Sequence, residues 1–349
     1  MIRALTRKML GTAAAAVDLM ATAAVTAHAQ RTGQAHERPH AERLRVLERL
    51  EARFQGQSLD GFFAEPRPIE PGERHVRDAS RGRIVTDLSW TSAFTPLDPE
   101  ISARYASARE NTVAVARRFR RGRERPAVIL IHGYMAGPFA FEERVWPISR
   151  FDRAGFDVVL FTLPFHGLRA RVGYGAVPEF PGADPRLNVE GFRQALFDLQ
   201  NLLGWLLSEG HPRVGVVGMS LGGYTAALLA TAEPRLDFVV PLIPLSSLAD
   251  FAREQGSLSP DPAEAEAQHG LLESIYHRVS PIARPSLVAA ERCLVVAAKA
   301  DRVTPAAHAR RLSMHLRAPL QSFYGGHLLQ LGRAEAFERV IELMSTAHE

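Results

Sequence analysis

Apolar and polar residues follow two rhythms that take turns along the chain. Over residues 84–94 and 112–119 they alternate singly, as in strands with one face in a core. Residues 127–131 (Ala-Val-Ile-Leu-Ile) and 157–161 (Asp-Val-Val-Leu-Phe) are apolar runs of strand length, as in strands covered on both faces. Residues 213–217, 238–243, 294–298 and 320–323 predict four more strands. Between them, helical patterns predict helices over 139–151, 189–207, 305–316 and 333–344. Strands that alternate with helices in this way predict an α/β fold: a mostly parallel central sheet with helices on both faces.

Two stretches fall outside that alternation. Residues 247–285 are polar and Ala/Glu-rich, helical in pattern, and too long for an ordinary loop. They predict a small helical cap inserted between strands. At the other end, Leu44, Val46, Leu47 and Leu50 among Arg and Glu predict an amphipathic helix over 42–54. Pro66, Pro68 and Pro71 then mark a linker. The organisation expected is therefore a leader, helix and linker over 1–80, a main domain over 81–246 and 286–349, and a cap over 247–285.

The first residues leave two readings open. Arg3, Arg7 and Lys8 precede an Ala/Thr-rich stretch, and Ala27-His28-Ala29 has the form of a small-residue cleavage site. Asp18 in the middle of that stretch opposes export, because a charge there costs about 2.5 to 3.5 kcal/mol on insertion scales. A cytoplasmic location is the side that Asp18 favours. Composition changes little: hydrophobic residues make up 46% and charged ones 23%, enough for a large core. The net charge of +4 comes almost wholly from arginine, since only Lys8 and Lys299 are lysine. That skew reads as codon usage, and no nucleic-acid partner is expected. The single cysteine, Cys293, excludes an internal disulfide and reads as core filling. No apolar run reaches the roughly eighteen residues of a membrane-crossing helix.

The chemistry gathers at Gly218-Met219-Ser220-Leu221-Gly222, where a β-branched run stops and an Ala/Leu-rich helix begins. A serine on such a strand-to-helix turn stands clear of the backbone, and the flanking glycines leave room for the close approach. The helix that follows aims unpaired N–H groups and a positive dipole end at it. From residue 84 to residue 344 the chain resembles the α/β-hydrolase superfamily, in the manner of a serine esterase or lipase. His132-Gly133 ends the strand where that family has its oxyanion loop, and Phe165-His166-Gly167 is similar to its G-H-G turn with the first glycine replaced. Asp301 and His327 (in Gly325-Gly326-His327) fall where the family keeps its acid and base, in the order Ser, Asp, His.

The resemblance implies a triad of Ser220, His327 and Asp301, with backbone N–H donors from Leu221 and Tyr134 for an oxyanion. Met135 is the alternative second donor and Asp250 the substitute acid. Met135, His166 and Met219 are candidate pocket residues; for His166 a turn-packing role is as well supported. His132 reads as structural, and His308 and His315 as surface residues. Apolar residues of the 164–185 loop (Phe165, Leu168, Val172, Tyr174, Val177, Phe180) and of the cap (Leu271, Leu272, Ile275, Tyr276) are expected over Ser220, or simply packing those segments down.

The arginines of 117–125 would lie at the sheet end away from these loops. They read as a solvated surface, with weak contact to acidic lipid as the sharper alternative. No His/Asp/Glu cluster has metal spacing, so neither metal nor other cofactor is expected. The function expected is a metal-independent serine hydrolase cleaving a small acyl ester through an acyl-enzyme. A thioesterase or amidase, or a non-catalytic binding protein of the same fold, remains the alternative. The sequence does not indicate an oligomeric state.

Overall fold

The computed structural model describes residues 7, 9–20, 39–59, 61–122, 124–171 and 178–346. Among these, nine strands form one sheet in the order β1-β2-β3-β5-β4-β6-β7-β8-β9. They are β1 Gly72–Ala79, β2 Arg83–Thr91, β3 Val113–Arg120, β4 Ala127–Ile131, β5 Asp157–Phe161, β6 Val214–Met219, β7 Val239–Leu242, β8 Val295–Ala298 and β9 Leu320–Phe323. The contacts among β1, β2, β3 and β5 are antiparallel; from β5 through β4 to β9 every pairing is parallel. The chain runs from β4 to β5 on one side, then crosses back to β6 on the other. In open α/β sheets ligands bind at the carboxyl ends of the strands beside such a reversal, here β4 and β6.

Side chains of β4 alternate between two cores, as a period of two requires. Ile129 and Ile131 join Phe192, Tyr224 and Leu312 on one side. Val128 and Leu130 join Trp146, Phe151 and Phe337 on the other. The helices that supply these residues include α6 (Pro185–Ser208), α7 (Leu221–Leu229), α10 (Ala306–Leu316) and α11 (Arg333–Ser345). Helix α6 starts where Asp184 accepts a bond from the Arg186 N–H and Pro185 supplies a first residue that needs no acceptor. The loop after β5 is pinned from below by Arg169, fully buried, which reaches the equally buried Asp198 of α6 at 2.8 Å.

Strand β1 and helix α3 (Pro99–Ser107) were not expected from the sequence. The side chains of β1 include Glu73, Arg74, His75, Arg77 and Asp78, and none of its residues is buried. Only Val76 and Ala79 of this edge strand touch the core, too few to leave an apolar rhythm, and its charges discourage pairing with another sheet. The helix expected over 139–151 is two, α4 (Phe139–Val145) and α5 (Ile148–Arg153), parted at Pro147.

The arginines expected as a solvated surface are for the most part paired. Arg117 bonds Asp87 at 2.6 Å and Glu143 at 2.7 Å, and Arg125 bonds Asp157 at 3.1 Å. Arg118 is buried, holds Glu73 at 2.9 Å and lies over the Trp205 ring. These contacts lock β2, β3 and α4 together.

Two helices precede the sheet: α1 over residues 9–20, and α2 (His40–Gln55). Helix α2 lies along the cap helix α9 (Pro262–Tyr276), which follows the shorter cap helix α8 (Leu248–Glu254). Arg43 donates to Ser257 O at 3.0 Å, and Ser274 donates to Glu51 at 2.8 Å. Among the described residues no helix is long and apolar enough to cross a membrane. Arg3, Lys8 and Ala27-His28-Ala29 lie outside the described residues.

Candidate active site

Ser220 joins β6 to α7 with φ 56° and ψ −114°. A side chain at positive φ costs on the order of 1–3 kcal/mol and persists only where neighbours enforce it. Here the Ser220 N–H is held by Leu242 O at 2.8 Å, and its carbonyl accepts the Tyr224 N–H at 3.0 Å. A Cβ on Gly218 would come within 1.9 Å of Gly222 O, and one on Gly222 within 2.2 Å of Ile131 O and 2.6 Å of His132 O. Backbone touches backbone at both glycines, and that contact brings the start of α7 against the end of β4. A Cβ on Gly133 would lie 3.4 Å from Ser220 Cβ and 3.9 Å from its Oγ. The loop after β4 therefore borders the serine hydroxyl.

That loop is fixed from behind. His132 Nδ1 donates to Gly133 O at 2.7 Å, and its Nε2 accepts the Leu163 N–H at 3.0 Å. One neutral tautomer satisfies both bonds. Leu221 opens α7, so helix geometry gives its N–H no acceptor within the helix. Tyr134, next to Gly133, is half-buried, and burial pushes its phenol up to about 12. Met135 is exposed and has φ 59°.

Asp301 and His327 meet at the ends of β8 and β9. His327 Nδ1 lies 2.8 Å from Asp301 Oδ2. The other carboxylate oxygen, Oδ1, accepts the N–H groups of Val303 at 2.9 Å and Thr304 at 2.7 Å. The Thr304 hydroxyl sits 3.1 Å from both Asp301 Oδ2 and His327 Nδ1. With an acceptor-only carboxylate oxygen opposite, Nδ1 carries the ring proton and Nε2 keeps its lone pair. Gln330 joins this loop to the elbow, its amide donating to His327 O at 3.0 Å and to Met219 Sδ at 3.3 Å. Neither Thr304 nor Gln330 stood out in the sequence. An isolated polar residue three positions after Asp301 or His327 carries no pattern.

A family model described as the alpha/beta hydrolase family matches residues 128–340. The chain belongs to the alpha/beta hydrolase family. Two uncharacterised proteins from strains of Mycobacterium tuberculosis are each 34% identical to this hydrolase-family chain over 277 residues, 76% of it. The match spans 65% of their own length. Among solved structures, acetyl xylan esterase 1 from Thermoanaerobacterium sp. superposes with a TM-score of 0.57 at 18% identity, covering 86% of this chain and 94% of its own. Acetyl xylan esterase from Paenibacillus sp. R4 gives 0.55 at 16% identity, covering 89% and 98%. At such identities the likeness is one of fold.

Several other sequence expectations for this family member need correction. Asp250, the substitute acid, lies on α8 and is taken up by His269 at 2.9 Å and by Arg311. It makes no bond to His327. Asp250, His269 and Glu273 place ligand-type atoms within 4.8 Å of one another, a cluster that sequence spacing did not reveal. In this cluster the Asp250 carboxylate is held by Arg311 and His269, and Glu273 accepts the Ser247 hydroxyl.

His308 is not a surface residue: it is buried, with Nδ1 at 3.0 Å from the Ser246 hydroxyl and Nε2 at 2.9 Å from Glu254. His315 is half-buried on Arg284 O at 2.7 Å. Phe165, Phe180, Leu272, Ile275 and Tyr276 are buried in the main core, so they pack their segments down and do not line an open pocket. Leu168 stays exposed, and Val172, Tyr174 and Val177 lie outside the described residues.

His166 is fully buried, donating from Nδ1 to Pro164 O at 2.8 Å, its ring against His132, Tyr134 and Phe180. Burial, then the neighbouring His132, holds its pKa well below the ordinary 6.5. Below 6.5 the unfolded chain therefore binds a proton that the folded chain refuses. Stability is complete above that pH and falls as pH drops toward the depressed folded value. Burial raises Asp157, Glu190 and Asp198, which act in the opposite sense, so the variant comparison isolates the imidazole. His166→Gln is expected to flatten the decline of unfolding free energy between pH 6.5 and 5 by up to about 1.4 kcal/mol per pH unit. Urea titrations at several pH values measure this; parallel curves for the two proteins would refute it.

Proposed function

We propose that the protein is a serine hydrolase that cleaves carboxylic esters through an acyl-enzyme. The observation that carries the reading is the 2.8 Å approach of His327 Nδ1 to Asp301 Oδ2, at the end of the sheet where Ser220 stands on a strained elbow. A hydroxyl is a poor nucleophile at neutral pH, so a base must take its proton as the new bond forms. His327 Nε2 is that base, because Asp301 keeps the ring proton on Nδ1 and steadies the imidazolium.

Ser220 Oγ attacks the ester carbonyl carbon, and its proton passes to Nε2. The N–H groups of Leu221 and Tyr134 receive the negative charge that moves onto the carbonyl oxygen, helped by the positive end of α7. The carbon–oxygen bond to the leaving group then breaks, and the alkoxide takes the proton from Nε2. Water repeats the sequence on the acyl-enzyme, giving its proton to Nε2, and Ser220 leaves with that proton as the acid departs.

Met135, Leu168, Leu328 and Leu329 are exposed apolar residues on the loops after β4, β5 and β9, the loops that surround these groups. An apolar rim favours an acyl chain over the polar backbone of a peptide. Each methylene fully buried contributes about 0.8 kcal/mol, or roughly fourfold in kcal/mol-to-rate terms. The expected result is a kcat/KM that rises from acetyl to butanoyl and hexanoyl esters of one alcohol, together with stoichiometric fluorophosphonate labelling. An unlabelled Ser220 would overturn the hydrolase reading. Equal cleavage of acetyl and longer esters, or faster cleavage of peptides, would overturn the acyl preference.

A further inference from the structure

Helix α1 meets the loops that carry Asp301 and His327 through their backbone. Its buried residues are Gly11, Ala14 and Asp18, spaced three and four apart, so they form one stripe. The stripe lies against the loop that carries His327. A Cβ on Gly11 would come to 3.0 Å from Tyr324 O, and one on Gly326 to 3.1 Å from Ala14 O and 2.7 Å from Asp18 Oδ2. Helix and loop meet through positions that lack side chains, which admits the Asp18 carboxylate to the loop backbone. Its Oδ2 accepts the N–H of His327 at 2.7 Å and that of Arg302 at 3.2 Å, and Oδ1 accepts the N–H of Leu328 at 3.0 Å. Arg302 is the residue directly after Asp301. One fully buried carboxylate thus holds the backbone beside the acid and the backbone of the base.

We propose that Asp18 is a positioning residue for the Asp301–His327 pair, which makes helix α1 part of the active-site scaffold. The inference rests on the serine-hydrolase reading above. Hydrogen bonds from N–H groups to a carboxylate are about twice as strong as neutral ones, so three of them fix the relative placement of the two loops. Losing them would leave buried N–H groups without acceptors and let the loops drift. A shift of about 1 Å in reacting groups costs on the order of a hundredfold in rate. Substrate binding also uses the loops after β4 and β5, whereas these Asp18 bonds go to the loops after β8 and β9, so KM should change less than kcat.

The test compares Asp18→Ala, Asp18→Asn and Arg7→Ala in the full chain, by ester kinetics, fluorophosphonate labelling rate and Tm. Asp18→Ala is expected to lower kcat by about tenfold to a hundredfold. KM should stay within about threefold, and the labelling rate should fall in parallel with kcat. Asp18→Asn should fall between that variant and wild type, since its amide oxygen can still accept. Arg7→Ala removes the exposed 2.9 Å pair with Glu335 near the other end of the segment, and should keep kcat within about twofold.

An Asp18→Ala protein with wild-type kcat overturns the proposal. So does an Arg7→Ala protein equally slow, because the carboxylate would then be incidental to attachment of the helix. If Asp18→Ala does not fold, Asp18→Asn decides: reduced kcat at unchanged Tm supports the proposal, and unchanged kcat refutes it. Failure of the hydrolase reading is seen separately, as a wild-type protein that fluorophosphonate does not label, and it removes this proposal as well.

Discussion

Ser220→Ala is expected to lose at least about a thousandfold of ester hydrolysis, because the nucleophile and its base act as a unit. What remains is the contribution of the oxyanion donors and of substrate binding. The loss should be one of chemistry and not of folding. The Ser220 side chain makes no capping bond to α7, so removing its hydroxyl leaves no buried group without a partner. Alanine carries the same Cβ at the same φ of 56°, and the elbow strain is unchanged. Kinetics, fluorophosphonate labelling and a thermal melt together test this. Near-normal turnover in a folded, unlabelled variant would mean that another group performs the attack.

Asp301→Asn is the second large effect expected, on the order of a thousandfold in kcat/KM, about 4 kcal/mol. Oδ1 of Asp301 accepts two backbone N–H groups, from Val303 and Thr304. In the variant the amide oxygen takes that place, since an NH2 group there would face two donors. The NH2 then points at His327 Nδ1, which can meet it only with a lone pair. The ring proton moves to Nε2, facing the serine, where it blocks acceptance of the hydroxyl proton. Asp250→Asn is the control, because Asp250 binds His269 and Arg311 and makes no bond to His327. Its cost should stay below about tenfold; if it is the more damaging of the two, the acid is misassigned.

The parallel part of the sheet and the order Ser, Asp, His were legible because each depends on local signals. The buried strands are continuous apolar runs, and the elbow needs Gly218 and Gly222 within a few residues of Ser220. Strand β1 escaped because only Val76 and Ala79 of this edge strand touch the core, too few to leave a rhythm. The arginines of 117–125 and His308 were misjudged for a different reason. Their partners, Asp87, Glu143 and Glu254, come from elsewhere in the chain, and a charged residue looks the same in a sequence whether solvated or paired. Asp18 is the extreme case. As a charge in an Ala/Thr-rich stretch it counted only as an interruption, and its purpose becomes visible only beside residues 302, 327 and 328.

The bond between Asp18 and the His327 N–H spans 309 residues. Chains are made from the amino end at about 5 to 20 residues per second. Helix α1 thus leaves the ribosome roughly 15 to 60 seconds before its seat on the β9 loop exists. Among the described helices it is the first to be made, and it cannot dock until nearly all the others have been. For that interval its Ala/Leu/Met surface is open to whatever binds emerging segments. The Asp301–His327 contact also has to wait for the last strand. A nascent chain stalled before β9 carries Ser220 and Asp301 but not yet His327.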